Sequence, residues 1–155
     1  MLSIGCALLD ADYILGIDID NDALMQCQEN IDEFELNQKI DLINCDCEKI
    51  LNNKSLKGKF DTVVTNPPFG TKNQGIDVIF LKVASMLSSN SIYSLHKKTT
   101  RNFLQTKSAQ LGLDMEVVTE LRYNIPKIDN RNKNLSINSL EKDIFVDFIK
   151  FTKQN

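Results

Sequence analysis

The sequence predicts an open α/β sheet with helices on both faces. Short apolar segments, each suited to a buried parallel strand, alternate with longer segments whose apolar residues recur every three or four positions. Two further alternating segments at the end of the chain predict a final antiparallel strand pair. Polar residues directly follow three of the strands, at the sheet edge where such folds bind their ligands.

The first half of the chain contains three predicted strands and one clear helix. Tyr13–Asp18 is an apolar run that ends in an acid and predicts the first strand. Asp20 can cap the following helix, whose apolar side carries Leu24, Cys27, Ile31 and Phe34. Ile40–Asn44 predicts the second strand and Phe60–Thr65 the third.

The second half continues the alternation. A helix is predicted over Ile76–Leu87, a strand over Ser91–Leu95, and a helix from Thr99 or Thr100 to Leu111, with Gly112 at its C-terminus. Met115–Tyr123 and Asp143–Phe151 alternate apolar and polar residues and predict the final strands. Between them, Asn124–Lys142 is rich in Asn, Lys and Ser and predicts a long exposed loop.

Composition indicates one globular domain spanning residues 1–155. Hydrophobic residues make up 42% and charged residues 25% of the chain. No apolar run reaches the ~18 residues of a membrane span, and no secretory signal is visible, so we expect an intracellular protein. The net charge is −3 and the pI about 5.2, so any RNA-binding charge must be local or come from a partner.

The four cysteines do not have the spacing of a metal site. Only Cys45 and Cys47 are close in sequence, and Cys6 and Cys27 lie far from them. We therefore expect reduced thiols near the core and no metal.

Two acids at strand ends are candidate ligands for a nucleoside cofactor. Asp18 ends the first strand, where a carboxylate can accept hydrogen bonds from both hydroxyls of a ribose. Asp46 follows the second strand and can either bind an adenine amine or cap a short helix before Glu48. The backbone N–H of Cys47 can reach a ring nitrogen of the same base. Asn66, after the third strand, is a further candidate contact for the cofactor.

Asn66-Pro67-Pro68-Phe69, directly after the third strand, can bind an aromatic exocyclic amine. The prolines stop the strand ladder, so the Pro67 carbonyl and the Asn66 side chain can each accept one N–H of the amine. This holds the nitrogen in line with an electrophilic methyl group, while Phe69 can stack on the base. A plain turn is the alternative, but the position beside Asp18 and Asp46 favours the binding role.

A basic segment follows the fourth strand. Lys97, Lys98 and Arg101 lie on the site edge of the sheet and can contact phosphate, or can form a solvated helix start. His96, which precedes them, fits a structural role better than a catalytic one. In the long loop, Lys127, Arg131 and Lys133 can contact RNA or simply keep the loop soluble.

Several segments together resemble the methyltransferase-like protein 5 family. They are Gly16-Ile17-Asp18-Ile19-Asp20, Asn44-Cys45-Asp46, Asn66-Pro67-Pro68-Phe69-Gly70-Thr71-Lys72, Tyr93-Ser94-Leu95-His96-Lys97 and Glu120-Leu121-Arg122-Tyr123. The resemblance implies a Rossmann-like class I fold dependent on S-adenosylmethionine, a mostly parallel sheet, and N6-methylation of an adenosine in small-subunit ribosomal RNA. The candidate substrate contacts are then Phe69, Lys72, His96, Lys97, Lys98 and Arg101.

The same resemblance implies a partner and a location. It implies a small zinc-binding activator subunit that pairs with the edge strand Ile40–Asn44, and residence in the nucleus (nucleolus) and cytoplasm. The chain departs from the family at its start, because Met1–Gly5 matches the helix that follows the family's first strand and glycine-rich turn. We therefore expect an N-terminally truncated domain. The alternatives to methylation of ribosomal RNA are a catalytically inactive truncated form that only binds the activator, or a methyltransferase that acts on a protein glutamine or a DNA base.

Overall fold

The computed structural model describes residues 1–68, 75–125 and 142–154. In chain order the elements are α1 Leu2–Leu8, β1 Ile14–Asp18, α2 Asn21–Glu33, β2 Ile40–Asn44, α3 Cys47–Ile50, β3 Phe60–Thr65, α4 Ile76–Leu87, β4 Ser88–Lys97, α5 Arg101–Gln110, β5 Leu113–Ile125 and β6 Lys142–Lys153. The predicted order of strands and helices is confirmed. No helix within the described residues is long and apolar enough to cross a bilayer.

Several element boundaries differ from the sequence prediction. β4 begins at Ser88 instead of Ser91, because β3 pairs with this polar stretch and the Ser88 hydroxyl donates to the Ser91 carbonyl at 3.0 Å. β5 and β6 are also longer than predicted, because they pair with each other along their whole length. Phe34 is half-exposed instead of buried, because α2 ends before it and Glu35 takes a positive φ of 56°.

The strands form two sheets. β1 and β2 pair in parallel, and a second sheet has the order β3-β4-β6-β5. β3 and β4 are parallel, while β6 lies antiparallel between β4 and β5. Of the described strands, none pairs with the second side of β1 or of β3. The predicted α/β class with a C-terminal antiparallel pair is confirmed, and β1 and β3 have no strand between them in the described chain.

Side-chain packing joins the two sheets. Buried Ile50, Val83 and Leu87 form a cluster that also contacts Ile17 of β1 and Val63 of β3. The cluster contains residues of α3 and α4. Apolar burial therefore replaces the missing backbone ladder between β1 and β3.

Gly16 allows α1 to lie close to β1. A Cβ atom built on Gly16 would meet Leu42 Cδ2 at 2.6 Å and Ser3 Oγ at 3.1 Å. Ser3 belongs to α1, which also buries Ile4 against this part of the core. A side chain at this position would therefore force Leu42 and Ser3 to shift.

We predict that Gly16→Ala lowers the free energy of unfolding by about 1–3 kcal/mol, the usual cost of overpacking. Thermal and urea denaturation measure the change. The matched control is Gly5→Ala, since Gly5 lies inside α1 with no atom within 4 Å of its added Cβ. Because alanine favours helix, Gly5→Ala should leave the stability unchanged or raise it. Equal effects of the two variants would contradict the packing of α1 on Gly16.

Candidate functional site

The sheets place three candidate segments at the ends of their parallel strands. Asp18 pairs with Asn44 at the ends of β1 and β2, and the Cys45 N–H donates to the Asp18 carbonyl at 2.9 Å. Asp46 therefore follows directly beside Asp18. Asn66 follows Thr65, the last residue of β3. Each segment thus leaves its sheet at the carboxyl end, as the sequence predicted.

Asp18 keeps one carboxylate oxygen available for a ligand. Its Oδ1 accepts from the Asp20 N–H at 3.0 Å, which fixes the direction of the side chain. Its Oδ2 has no hydrogen-bond partner among the described residues. Asp20 instead caps α2 and accepts from the Asp22 and Ala23 N–H groups, which confirms its predicted role.

Asp46 caps α3. Its Oδ1 accepts from the Glu48 N–H at 3.0 Å, which confirms the capping alternative and leaves ligand binding by Oδ2 as a prediction. The Cys45 thiol donates to the Asp46 carbonyl at 3.3 Å. Burial, followed by the negative charge of Asp46, raises the pKa of the Cys47 thiol, so this thiol stays protonated at neutral pH. All four cysteines are free.

The Asn66-Pro67-Pro68 segment follows β3 and exposes the Asn66 side chain. Asn66 and Pro68 are exposed, while the side chain of Pro67 is buried and anchors the turn. Within the described part of the chain, the Asn66 side chain makes no hydrogen bond, so both of its polar atoms are available to a substrate. Phe69 and Lys72 lie outside the described residues, as do Lys127, Arg131 and Lys133 of the predicted loop.

The basic residues after β4 take part in an ion-pair network that the sequence analysis did not anticipate. Arg101 donates to both carboxylate oxygens of fully buried Asp147, at 2.7 and 2.6 Å. Glu120 lies 3.2 Å from Arg101 and 2.8 Å from Lys98. Hydrogen bonding to Asp147 raises the pKa of Arg101 further above its ordinary value. The Lys98 ammonium also lies 5.5 Å from the Phe145 ring centroid.

This network makes Lys98 and Arg101 weaker candidates for phosphate binding than the sequence indicated. Lys98 and Arg101 already have carboxylate partners, so their positive charge is largely neutralised within the protein. Lys97 is half-buried at the end of β4. The one sequence signal for the network was Asp147, an acid at a core-facing position of the otherwise apolar β6.

His96 is buried, with 3% of its surface exposed. Its Nε2 lies 2.7 Å from the Ser94 hydroxyl, and its ring meets the Phe151 ring edge-on at 6.4 Å between centroids. Burial lowers the pKa of His96 to about 4, so the imidazole is neutral at neutral pH. The structural role that the sequence favoured fits this environment better than a surface contact.

No described set of three or more His, Cys, Asp or Glu side chains is grouped to hold a metal ion. The site is therefore built from carboxylates, an amide and backbone carbonyls. Such groups accept hydrogen bonds from hydroxyls and amines, the polar groups of a nucleoside.

This chain is similar to known proteins in both fold and sequence. A family described as RNA cap guanine-N2 methyltransferase matches residues 4–105. A solved Pyrococcus horikoshii structure, described as a candidate RNA methyltransferase, superposes with a TM-score of 0.74 at 26% identity, covering 99% of this chain and 69% of that one. A Thermoplasma acidophilum structure has a TM-score of 0.68 at 23% identity and supports the fold alone.

Relatives with higher sequence identity are named for one particular reaction. The Danio rerio rRNA N(6)-adenosine-methyltransferase METTL5 is 48% identical over 153 residues, which are 98% of this chain and 70% of the relative. The Drosophila melanogaster protein of the same name is 43% identical, over 97% of this chain and 68% of the relative. With identity this high along nearly its whole length, the chain belongs to the METTL5 family of rRNA N(6)-adenosine-methyltransferases.

Proposed function

We propose that this protein transfers the methyl group of S-adenosylmethionine to the N6 amine of an adenosine in small-subunit ribosomal RNA. The observation that carries the proposal is the exposed Asn66, followed by Pro67, at the end of β3, in a chain 48% identical to a protein named for this reaction. Adenine N6 is an aromatic amine with two N–H groups. Asn66 and Pro67 offer the two acceptors that such an amine needs.

The residues at the ends of β1 and β2 fit the nucleoside part of the cofactor. Asp18 has a directed carboxylate with Oδ2 available, which suits a pair of ribose hydroxyls. Asp46 and the Cys47 N–H would bind the adenine edge. When bound, the cofactor supplies an electrophilic methyl group.

The protein's contribution to the reaction is positioning and charge stabilisation. The Asn66 side-chain oxygen and the Pro67 carbonyl would hold the amine so that its lone pair points at the methyl group. Conjugation makes that lone pair a poor nucleophile, and two acceptors on the N–H groups favour the pyramidal geometry in which it is available. The amine proton can leave after transfer, so no strong base is required.

The guanine N2 amine is the second candidate substrate. It is also an aromatic amine with two N–H groups, and the family that matches residues 4–105 is described by that reaction. The same acceptors on Asn66 and Pro67 would serve either amine. The methylated nucleoside in the product therefore distinguishes the adenine N6 amine from the guanine N2 amine.

Methyl transfer followed by nucleoside analysis tests the proposal. The protein is incubated with S-adenosylmethionine carrying a labelled methyl group and with small-subunit ribosomal RNA, and the digested RNA is separated into nucleosides. Label in N6-methyladenosine supports the proposal, and label in N2-methylguanosine supports the second candidate. Absence of label from RNA, with label in protein or DNA substrates, would overturn both.

We predict that Asn66→Ala lowers kcat by ~10²–10³, the usual effect of removing one group that stabilises a transition state. Binding of S-adenosylmethionine should persist, because Asp18 and Asp46 are untouched. Single-turnover methyl transfer and equilibrium binding measure the two effects. The control is Asn90→Ala, an exposed asparagine in the amino-terminal half of β4, which should leave kcat unchanged.

We further propose that a small zinc-binding activator subunit pairs with β2, and that the complex acts in the nucleus, including the nucleolus, and in the cytoplasm. β2 is an edge strand within the described part of the chain, and its Ile43 is 42% exposed. An open, apolar strand edge is a site for β-strand addition. A partner would also supply positive charge for RNA binding to a protein whose own net charge is −3.

We predict that Ile43→Asp abolishes capture of the activator subunit when the two proteins are co-expressed. Affinity purification with quantification of the partner measures the effect. Val118→Asp is the matched control. Val118 is a similarly exposed residue, at 48%, and lies on β5, an edge strand of the second sheet. Loss of capture in the control, or its persistence in Ile43→Asp, would place the partner elsewhere.

A further inference from the structure

Ser94 and His96 form a buried polar pair behind the end of β3. Their exposed fractions are 1% and 3%, and Ser94 Oγ lies 2.7 Å from His96 Nε2. Being two residues apart on β4, they lie on one face of the sheet. That face also carries Ile92, which packs in the core beneath α4 and α5.

The pair is linked to both ends of the segment that carries Asn66. In the β3–β4 ladder, Ser94 is the partner of Thr65, the residue immediately before Asn66. At the other end of the segment, Asp77 lies in the first turn of α4, and its charge acts on the His96 ring. The Ser94–His96 pair therefore lies beside the point where the segment leaves β3.

Stability alone does not explain a polar pair at this position. Burying a hydroxyl and an imidazole is unfavourable unless they bond to each other, and replacing both by apolar groups of similar shape is close to neutral. A hydrogen bond differs from an apolar contact in having a fixed direction and length. The 2.7 Å bond holds the two strand positions in one geometry, which a positioning role requires.

We propose that Ser94 and His96 are positioning residues for methyl transfer, which act by fixing the backbone that presents Asn66 and Pro67 to the substrate amine. The proposal rests on the proposed function and extends it to two residues that are too buried to touch the substrate. It replaces the direct substrate contact that the sequence suggested for His96. A displacement of about 1 Å in a positioned group can lower a rate by ~10².

Steady-state kinetics on three variants test the proposal. Ser94→Ala and His96→Phe each remove the hydrogen bond, and phenylalanine retains the edge-on contact with Phe151. We expect kcat to fall by about 10–100-fold in each, with KM for S-adenosylmethionine and RNA within about twofold of the wild type. The double variant should be no slower than the slower single variant, because both act through one bond. His96→Gln, which offers Ser94 an amide, should recover most of kcat.

Ser88→Ala is the matched control. Ser88 is equally buried, lies on the same strand, and bonds to the Asp61 and Ser91 carbonyls at the opposite end of the β3–β4 pair. Its loss should reduce thermal stability and leave kcat unchanged. Equal kcat values in Ser94→Ala and Ser88→Ala would overturn the positioning role while leaving the proposed function intact.

Hydrogen exchange provides a readout that needs no activity. In peptides that cover residues 60–66 and 75–78, exchange should be faster in Ser94→Ala and His96→Phe than in Ser88→Ala and the wild type. Unchanged exchange in these peptides overturns the proposal, whether or not methyl transfer is observed. A wild type that transfers no methyl group contradicts the proposed function instead, and the exchange result still decides the structural role of the pair.

Discussion

The parallel pairing of β3 with β4 is the interaction on which the candidate site depends. It places Thr65 beside Ser94 and so fixes where Asn66 leaves the sheet. Pro67 and Pro68 cannot continue the ladder, because proline has no N–H to donate. The backbone therefore turns out of the sheet at a defined residue, and the acceptors of Asn66 and Pro67 remain unused by secondary structure.

The second constraint is the division between the two sheets. Asp18 and Asp46 belong to the β1–β2 pair, whereas Asn66 belongs to the sheet that contains β3. The described chain has no backbone ladder between them, so the distance between the cofactor-side acids and the amine-binding turn is set by apolar packing around Val83 and Leu87. Side-chain packing is less directional than a ladder of hydrogen bonds. The geometry across this division is therefore more sensitive to core substitutions than the geometry within either sheet.

The sequence predicted the local elements better than the long-range contacts. β3 and α4 begin and end where predicted, because their apolar runs are bounded by prolines after β3, by Gly75 before α4 and by serines after it. The cap at Asp20 was also predictable, since it depends only on its nearest neighbours. The Arg101–Asp147 pair joins residues 46 positions apart, and sequence periodicity carries no information about such a contact. For the same reason, the burial of His96 beside Phe151 became visible only in the fold.

Calorimetric titration of S-adenosylmethionine into the wild type and Asp18→Ala tests the central claim most directly, namely that the strand ends form a cofactor site. We expect saturable one-to-one binding by the wild type. Asp18→Ala should bind at least about tenfold more weakly, because a hydrogen bond to a charged group contributes ~1.5–3 kcal/mol. Absence of saturable binding by the wild type, or equal affinity in Asp18→Ala, would contradict the account.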